Sequence, residues 1–387
     1  MIRMHKRGLV EVIIASLVLA FGMPLTLFAA SLQGEFATMV SQQGLAIPSQ
    51  AACTSDPRAS SSQISFNTNM RITPASVSKL YTFDYALSTL PVDFRYKTEF
   101  VVSGKTLYIN GGGDPHFVIG HLRSIIRKVH DQEGVVLSEF VIAPNFYFNW
   151  QKNPTDVQMS VFNSLKSDTT LPIAPRIKVS LGAAPFTGAG TRYTFESMPL
   201  PALLKQINDY STNISADTLF ARLGGSAGFA QYMKQTYGVG PETVSFATGS
   251  GLTGNYTTCA LTLRVLEHLG KILTQKGLAL TDILSMPTVD PGVLEKRNFN
   301  TKDASALVAK SGYVNWNHAL AGAINTSRGP VYFAVFTRFG TYAQSEPTKA
   351  MIDRFVSRII DSYRPLVRSF GYTPDGALFE SFRVTAR

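Results

Sequence analysis

The 387-residue sequence has little of what metal, nucleotide-binding or repeat proteins depend on. Its two cysteines and six histidines show neither zinc-finger spacing nor a His-Glu-x-x-His pattern, so no metal site is expected. No unit of about 20 to 50 residues recurs, which excludes solenoids and propellers. The run Gly111–Gly113 is not followed by Gly-Lys-Ser/Thr, so a structural turn is expected there instead of a phosphate loop. We therefore expect no cofactor.

Long apolar runs are also scarce, except near the N-terminus. Residues 1–31 combine a basic start, the apolar stretch VIIASLVLAFG from Val12 and small residues at Ala29 and Ser31. This pattern is typical of a signal peptide. The same stretch is long enough to remain as an uncleaved anchor, which would leave the protein associated with a membrane. In either case the sequence predicts export.

Export bears on the partners that the charge indicates and on the state of the cysteines. The net charge is +10, but lysine and arginine are dispersed and no aromatic RNA-binding motif is present, so we expect no nucleic-acid partner. Anionic envelope polymers or lipid headgroups are better candidates. Cys53 and Cys259 could pair in an oxidising compartment, or they could be two unrelated buried thiols; the sequence leaves both open.

Hydrophobic periodicity divides the rest of the chain. Residues 32–95 and 198–387 show mainly helical patterns, which include helices at about 76–90 and 347–363. The second range also contains a strand–turn–strand pattern at 305–339. Residues 96–197 are richer in strands, with a hairpin from Tyr96, strands at 135–143 and 176–182, and a helix at 117–130. These patterns predict an α+β fold, an antiparallel sheet flanked by helices, interrupted by a smaller strand-rich inserted domain at 96–197.

The stretch ITPASVSKLYTF places Ser76 and Lys79 three residues apart, just after Pro74. Taken alone, it predicts an ordinary helix start in which the serine caps and the lysine is solvated. The spacing also puts the hydroxyl and the amine on one helix face, where a lysine of lowered pKa can accept the serine proton. Backbone N–H groups of the first helical turn could then stabilise an oxyanion.

Two further motifs favour the catalytic interpretation. Ser211 and Asn213 form a Ser-x-Asn at the junction of two helical patterns, and Lys310, Ser311 and Gly312 lie in a predicted strand. The order Ser-x-x-Lys, Ser-x-Asn, Lys-Ser/Thr-Gly is the motif set of penicillin-binding proteins and serine β-lactamases.

Beyond these motifs, the sequence resembles the low-molecular-mass class C penicillin-binding proteins, the D-Ala-D-Ala carboxypeptidases/endopeptidases of peptidase family S13. The resemblance covers about residues 65–340 and includes LYINGGGDP, TGSGLT and AKSGYVNWNHALAGAI. Three positions depart from the family pattern: Ser311 replaces threonine, Thr212 replaces a common asparagine, and Thr248 replaces the aspartate before Gly-Ser-Gly. The first two motifs are closer together than in larger members, which favours carboxypeptidase over endopeptidase activity.

The resemblance implies that residues 32–95 and 198–387 form a DD-peptidase/serine β-lactamase-like catalytic domain. Ser76 would attack the carbonyl between two D-alanines, Lys79 would accept its proton, and water would hydrolyse the acyl-enzyme. The catalytic residues implied are Ser76, Lys79, Ser211, Asn213 and Lys310, and the substrate-binding residues are Ser311, Gly312 and Tyr313.

The other roles follow from the same resemblance. Ser211 and Lys310 would return a proton to the departing D-alanine, and Asn213 would orient the substrate amide. Lys310 and Ser311 would bind the terminal carboxylate, while the N–H groups of Ser76 and Tyr313 would form the oxyanion hole.

The implied partners are peptidoglycan stem peptides, with β-lactam antibiotics as covalent inhibitors, in the periplasm of a bacterium. A serine β-lactamase and a non-catalytic peptidoglycan-binding protein remain the alternatives. The sequence lacks a Glu-x-x-x-Asn after the second motif, which a β-lactamase could use for deacylation. The oligomeric state stays open.

Overall fold

The computed structural model describes residues 26–56, 58, 64–287, 289–374 and 381–386. Most of the predicted leader, residues 1–25, lies outside this range. Within it, no helix combines the length and the apolar character needed to cross a membrane.

The helices are α1 (Thr26–Gln42), α2 (Ser78–Thr89), α3 (Ile119–Glu133), α4 (Pro154–Lys166), α5 (Leu200–Tyr210), α6 (Asn213–Arg222), α7 (Gly225–Tyr237), α8 (Cys259–Gln275) and α9 (Ser345–Ser362). The strands are β1 (Ala51–Ser55), β2 (Ser65–Phe66), β3 (Lys97–Ser103), β4 (Thr106–Asn110), β5 (Leu137–Ile142), β6 (Ile173–Leu181), β7 (Thr191–Glu196), β8 (Leu307–Val314), β9 (Asn317–Ile324), β10 (Val331–Arg338) and β11 (Arg383–Ala386).

The first sheet is five-stranded and antiparallel, in the order β2-β1-β10-β9-β8. Because side chains alternate along a strand, the two faces of β10 belong to different cores. Ala334 and Phe336 lie in a core shared with α2 and α8, whereas Phe333 and Val335 lie in a core shared with α1 and α9. Helices therefore cover both faces of the sheet, and the predicted α+β class is confirmed.

The second sheet has the order β11-β7-β3-β4-β5-β6, with β5 parallel to both of its neighbours. Residues of α3 and α4, including Leu122 and Val161, pack with this sheet in a core of their own. Strands β3 to β7 fall within the predicted insertion at 96–197, which stays a prediction as a domain. β11 comes from the range assigned to the catalytic unit but pairs with β7.

Helix α4 and strand β7 were not among the predicted elements. The start of α4 has a recognisable signal, because the Asn153 side chain accepts the N–H groups of Thr155 and Asp156 and Pro154 occupies the first helical position.

The open question about the cysteines is answered by a disulfide between Cys53 on β1 and Cys259 at the start of α8, with the Cα atoms 6.1 Å apart. The bond joins the sheet to the helical layer that carries α2.

Candidate active site

Ser76 lies at the edge of the first sheet, where a short 3₁₀ turn (Ala75–Val77) leads into α2. The sequence placed Ser76 in the first helical turn, and in the structure that turn is of the 3₁₀ type, with the α-helix beginning at Ser78. Lys79 follows in the first turn of α2, and its Nζ is 2.9 Å from Ser76 Oγ. The three-residue spacing therefore does bring the two groups together.

Lys79 is completely buried. Its Nζ donates hydrogen bonds to Asn213 Oδ1 at 2.9 Å and to the Ser250 carbonyl at 3.2 Å. Burial lowers the pKa of Lys79 to about 7, against an opposing effect of Asp217. An amine with this pKa is largely neutral just above pH 7 and can accept a proton from the serine hydroxyl.

A second lysine–serine pair belongs to the same cleft, which Ser76 and Ser211 both line. Ser211 joins α5 to α6 in a left-handed conformation, with a φ of 52°. Its Oγ accepts a hydrogen bond from Lys310 Nζ at 3.1 Å. Lys310 is fully buried on β8, and burial, followed by the charge of Lys79, lowers its pKa well below the usual range.

The approach of β8 to the serine turn depends on Gly312. A Cβ there would lie 2.8 Å from the Pro74 carbonyl oxygen and 3.2 Å from the Ser76 nitrogen. β8 is the edge strand of its sheet, so its free side faces this turn. Ser311 and Tyr313, the neighbours of Gly312, line the adjoining cleft. All eight predicted site residues are thus gathered around Ser76 or along this part of β8.

The departure at Thr248 has a local explanation. Thr248 Oγ1 accepts the N–H of Gly251 at 3.1 Å, as a short polar side chain does at a tight turn. Gly251 has a φ of +79°, and a Cβ would lie 1.9 Å from the Ala75 carbonyl oxygen. Asn255 joins this loop to α2 through a 3.0 Å hydrogen bond from Nδ2 to Ser78 Oγ. The loop closes the site behind Lys79.

The cleft contains a cation that the sequence motifs did not indicate. Arg297 lines it together with Ser76, Ser211 and Ser311, within a volume of about 580 Å³. The Arg297 guanidinium is paired with Asp353 of α9, with Nε 2.6 Å from Oδ1. Arg297 lies in an irregular segment that has no recognisable sequence motif. Its position in the cleft is therefore seen only in the structure.

The wall of the cleft next to α9 contains both aromatic and charged side chains. Tyr313 stacks on His318 with ring centroids 4.8 Å apart, and Tyr342 is 80 % exposed at the rim. Glu346 and Lys349 of α9 form an ion pair of 3.1 Å next to the same cleft. A ligand that extends past Ser311 would thus meet apolar surface and both signs of charge.

The fold and the serine–lysine pairs are those of an acyl-transferring serine hydrolase. The model of the D-Ala-D-Ala carboxypeptidase 3 (S13) family matches residues 32–137 and 163–358. The chain belongs to this family and is a serine-type DD-peptidase. No curated protein sequence matches it.

Solved structures show the same fold at low sequence identity. The chain is similar to Bd3459, a predatory peptidoglycan endopeptidase from Bdellovibrio bacteriovorus, with 21% identity, a TM-score of 0.74 and coverage of 84% of this chain and 95% of that one. Penicillin G-acylated Bd3459 in complex with the immunity protein Bd3460 matches with 23% identity, a TM-score of 0.72 and coverage of 84% and 95%. Penicillin binding protein 4 from Haemophilus influenzae has 17% identity, a TM-score of 0.65 and coverage of 84% and 99%.

Proposed function

We propose that the protein hydrolyses the bond between the two terminal D-alanines of peptidoglycan stem peptides through an acyl-enzyme on Ser76. The observation that carries this proposal is the 2.9 Å contact between Ser76 Oγ and a buried Lys79 of lowered pKa. Lys79 takes the hydroxyl proton as Ser76 Oγ bonds to the carbonyl carbon. The backbone N–H groups of Ser76 and Tyr313 stabilise the oxyanion.

The second lysine serves the leaving group. When the C–N bond breaks, the departing D-alanine amine needs a proton, and Ser211 delivers one that Lys310 replaces through their 3.1 Å hydrogen bond. Lys310 and Ser311 bind the terminal carboxylate, and the Arg297–Asp353 ion pair lies on the same side of the cleft. Asn213 orients the substrate amide. Water then attacks the ester and gives a proton back to Lys310 through Ser211, while Lys79 returns its proton to Ser76 Oγ as the ester C–O bond breaks.

Incubation with benzylpenicillin tests the nucleophile. Intact-mass spectrometry should show a long-lived adduct of one penicilloyl group on the wild-type protein and none on Ser76→Ala, because opening of the lactam ring leaves an ester on Oγ. Ser78→Ala is the matched control: it changes a neighbouring buried serine and should still form the adduct. Hydrolysed penicillin without an adduct would indicate a β-lactamase. Intact penicillin without an adduct would indicate a non-catalytic binding protein.

The size of the cleft favours a second reaction, cleavage of peptide cross-links. Its volume of about 580 Å³ exceeds what a single D-alanine needs, and it continues past Ser311 to Arg297, Glu346 and Lys349. A cross-linked substrate places a diamino acid with its own charged groups on that side. The similar Bdellovibrio proteins are described as endopeptidases.

Purified substrates separate the two reactions. We expect the wild-type protein to release D-alanine from a stem pentapeptide and to split a cross-linked muropeptide dimer into monomers, as followed by liquid chromatography and mass spectrometry. Ser76→Ala should do neither. Release of D-alanine with intact dimers would restrict the protein to carboxypeptidase activity.

We also propose that the protein works in the bacterial periplasm. Two observations support this: the similar protein Bd3459 is described as a peptidoglycan endopeptidase, and the Cys53–Cys259 disulfide is typical of an oxidising compartment.

A further inference from the structure

A row of aromatic side chains leads away from the cleft, and the reaction described above does not use it. The ring of Tyr313 stacks on His318 with the centroids 4.8 Å apart, and His318 stacks on Phe339 at 5.1 Å. The ring of Trp316 meets the same Phe339 at nearly a right angle, with the centroids 5.9 Å apart. The row therefore runs from the cleft, which Tyr313 and His318 line, to the turn between β8 and β9.

The row has a buried layer and an exposed layer. His318 and Phe339 are buried, whereas Tyr313 is 55 % and Trp316 is 46 % exposed. A single exposed aromatic residue needs no explanation, but exposed rings that share buried neighbours beside a cleft are typical of a binding surface. The buried rings hold the exposed rings in place, so stacking of a ligand on them costs little side-chain entropy.

Trp316 is presented by a tight hairpin turn. Val314 pairs with Asn317, so Asn315 and Trp316 form a two-residue turn in which Asn315 is left-handed, with a φ of 49°. The Phe339 N–H donates to the Trp316 carbonyl at 2.9 Å, which ties the turn to the end of β10. The position of Trp316 is therefore fixed by its backbone as well as by its ring contact.

The groups around Trp316 suit an amino sugar. The C–H bonds on one side of a sugar ring pack on the face of an aromatic ring, which carries partial negative charge. Asn315, which is exposed, and Asn317, which is partly buried, flank Trp316 in the chain. Their amide groups donate and accept hydrogen bonds, as the hydroxyl and acetamido groups of such a sugar do.

The proposed reaction fixes which part of the substrate extends toward this row. The terminal carboxylate lies at Ser311 and the scissile carbonyl at the N–H of Tyr313, so the acyl side of the stem continues along β8 toward the turn at Trp316. A pentapeptide stem has four residues between the scissile bond and the sugar, which span up to roughly 13–14 Å when extended. Three ring-to-ring steps of 4.8, 5.1 and 5.9 Å have a similar reach. The sugar would thus arrive at the exposed end of the row.

We infer that the row from Tyr313 to Trp316 is a subsite for the amino sugar that carries the stem peptide, with the Trp316 ring as its platform. The inference rests on the proposed function, because it takes the direction of the stem from the roles of Ser311 and Tyr313. It also narrows that function: stems that are still attached to the glycan strand are better substrates than free peptides.

The first test compares two substrates that differ only in the sugar. The kcat and KM for release of D-alanine are measured with a disaccharide pentapeptide and with the same pentapeptide without sugars. We expect the wild type to have the higher kcat/KM on the sugar-bearing substrate. Trp316→Ala should lower this preference by about 2- to 10-fold, the effect of losing one aromatic contact. The loss should be in KM, because the ring binds a part of the substrate that does not react.

Matched variants separate an aromatic platform from a structural role. Trp316→Phe keeps a flat ring and should retain most of the preference, whereas Trp316→Leu keeps apolar bulk without the ring and should lose it. Trp150→Ala removes a tryptophan that is 49 % exposed and does not line the cleft, so it should match the wild type. The benzylpenicillin adduct serves as a check that the active site of each variant is intact.

Tryptophan fluorescence gives a direct readout of the contact. Trp150 and Trp316 are the two tryptophans of the sequence, so Trp316 alone reports in a Trp150→Phe background. Ser76→Ala is added to that background to prevent turnover. The disaccharide pentapeptide should move the emission to shorter wavelength, because the sugar displaces water from the ring, and the sugar-free pentapeptide should not.

The possible results are distinct. Equal kcat/KM on both substrates in the wild type, or an unchanged preference in Trp316→Ala, would overturn the inference and leave the exposed rings as a surface for a protein partner. If Trp316→Ala does not fold, the fluorescence decides: a response to the sugar-bearing peptide alone supports the inference, and no response or equal responses overturn it. A wild-type protein that benzylpenicillin does not acylate would instead remove the proposed function, and the fluorescence would still report on the sugar subsite.

Discussion

Replacing Lys79 with methionine is expected to slow the acylation of Ser76 by about 10²- to 10⁴-fold, the usual contribution of a positioned general base. Methionine has a similar unbranched length and suits the buried site, so the fold should survive. What is lost is the amine 2.9 Å from Ser76 Oγ. The measurement is the second-order rate constant for benzylpenicillin, from intact mass against time.

The pH profile gives this prediction a second, independent readout. Lys79 must be neutral to accept a proton, and its pKa is about 7, so the wild-type rate should rise with pH through about 7. Lys79→Met should lack this rise. Lys271→Met, which removes an exposed lysine on α8, is the control and should match the wild type. A wild-type rate in Lys79→Met would mean that another group is the base.

The site residues that the sequence motifs indicated lie close to one another along the chain within each motif. Ser76 and Lys79 are within one helical turn, Ser211 and Asn213 span one helix junction, and Lys310 lies on a strand of recognisable pattern. The order of the three motifs then implied that they meet, and the 2.9 Å contact between Lys79 and Asn213 joins the first to the second.

The residues that the sequence did not indicate owe their place to long-range packing. Asp209 lies in a helical pattern where a charged residue is usually solvated, but α5 is covered on nearly all sides, so Lys205, Asn208 and Asp209 are buried together. Arg297 and Asp353 meet only because α9 returns to the sheet and packs against β9. No spacing within the chain encodes such pairs.

The same distinction applies to the fold. The three strands of the meander follow from short, mostly apolar runs, which are buried on both faces of the sheet. Helices α2 and α9 follow from the helical spacing of their apolar residues. The four-residue strand β11 has only a weak pattern of its own and is a strand because β7 pairs with it. A short edge strand of this kind depends on its partner more than on its propensity.

The largest expected effect on stability is that of the disulfide. Cys53 and Cys259 are separated by 206 positions, and the loop they close includes the nucleophile, α5, α6 and strands β3 to β7. Closing so long a loop restricts the unfolded chain strongly, which places this bond near the upper end of the usual range of about 2–5 kcal/mol. The variant Cys53→Ala/Cys259→Ala should therefore unfold at a temperature lower by about 5–10 °C.

Differential scanning calorimetry of the oxidised wild type, the reduced wild type and the double variant measures this effect. The reduced protein separates the covalent bond from packing, because both sulfur atoms stay in the buried core next to β10. We expect the reduced wild type and the double variant to unfold at similar temperatures. At temperatures well below unfolding, the double variant should be acylated at the wild-type rate, because neither cysteine lines the cleft. A reduced wild type that melts with the oxidised one would mean that packing alone holds β1 to α8.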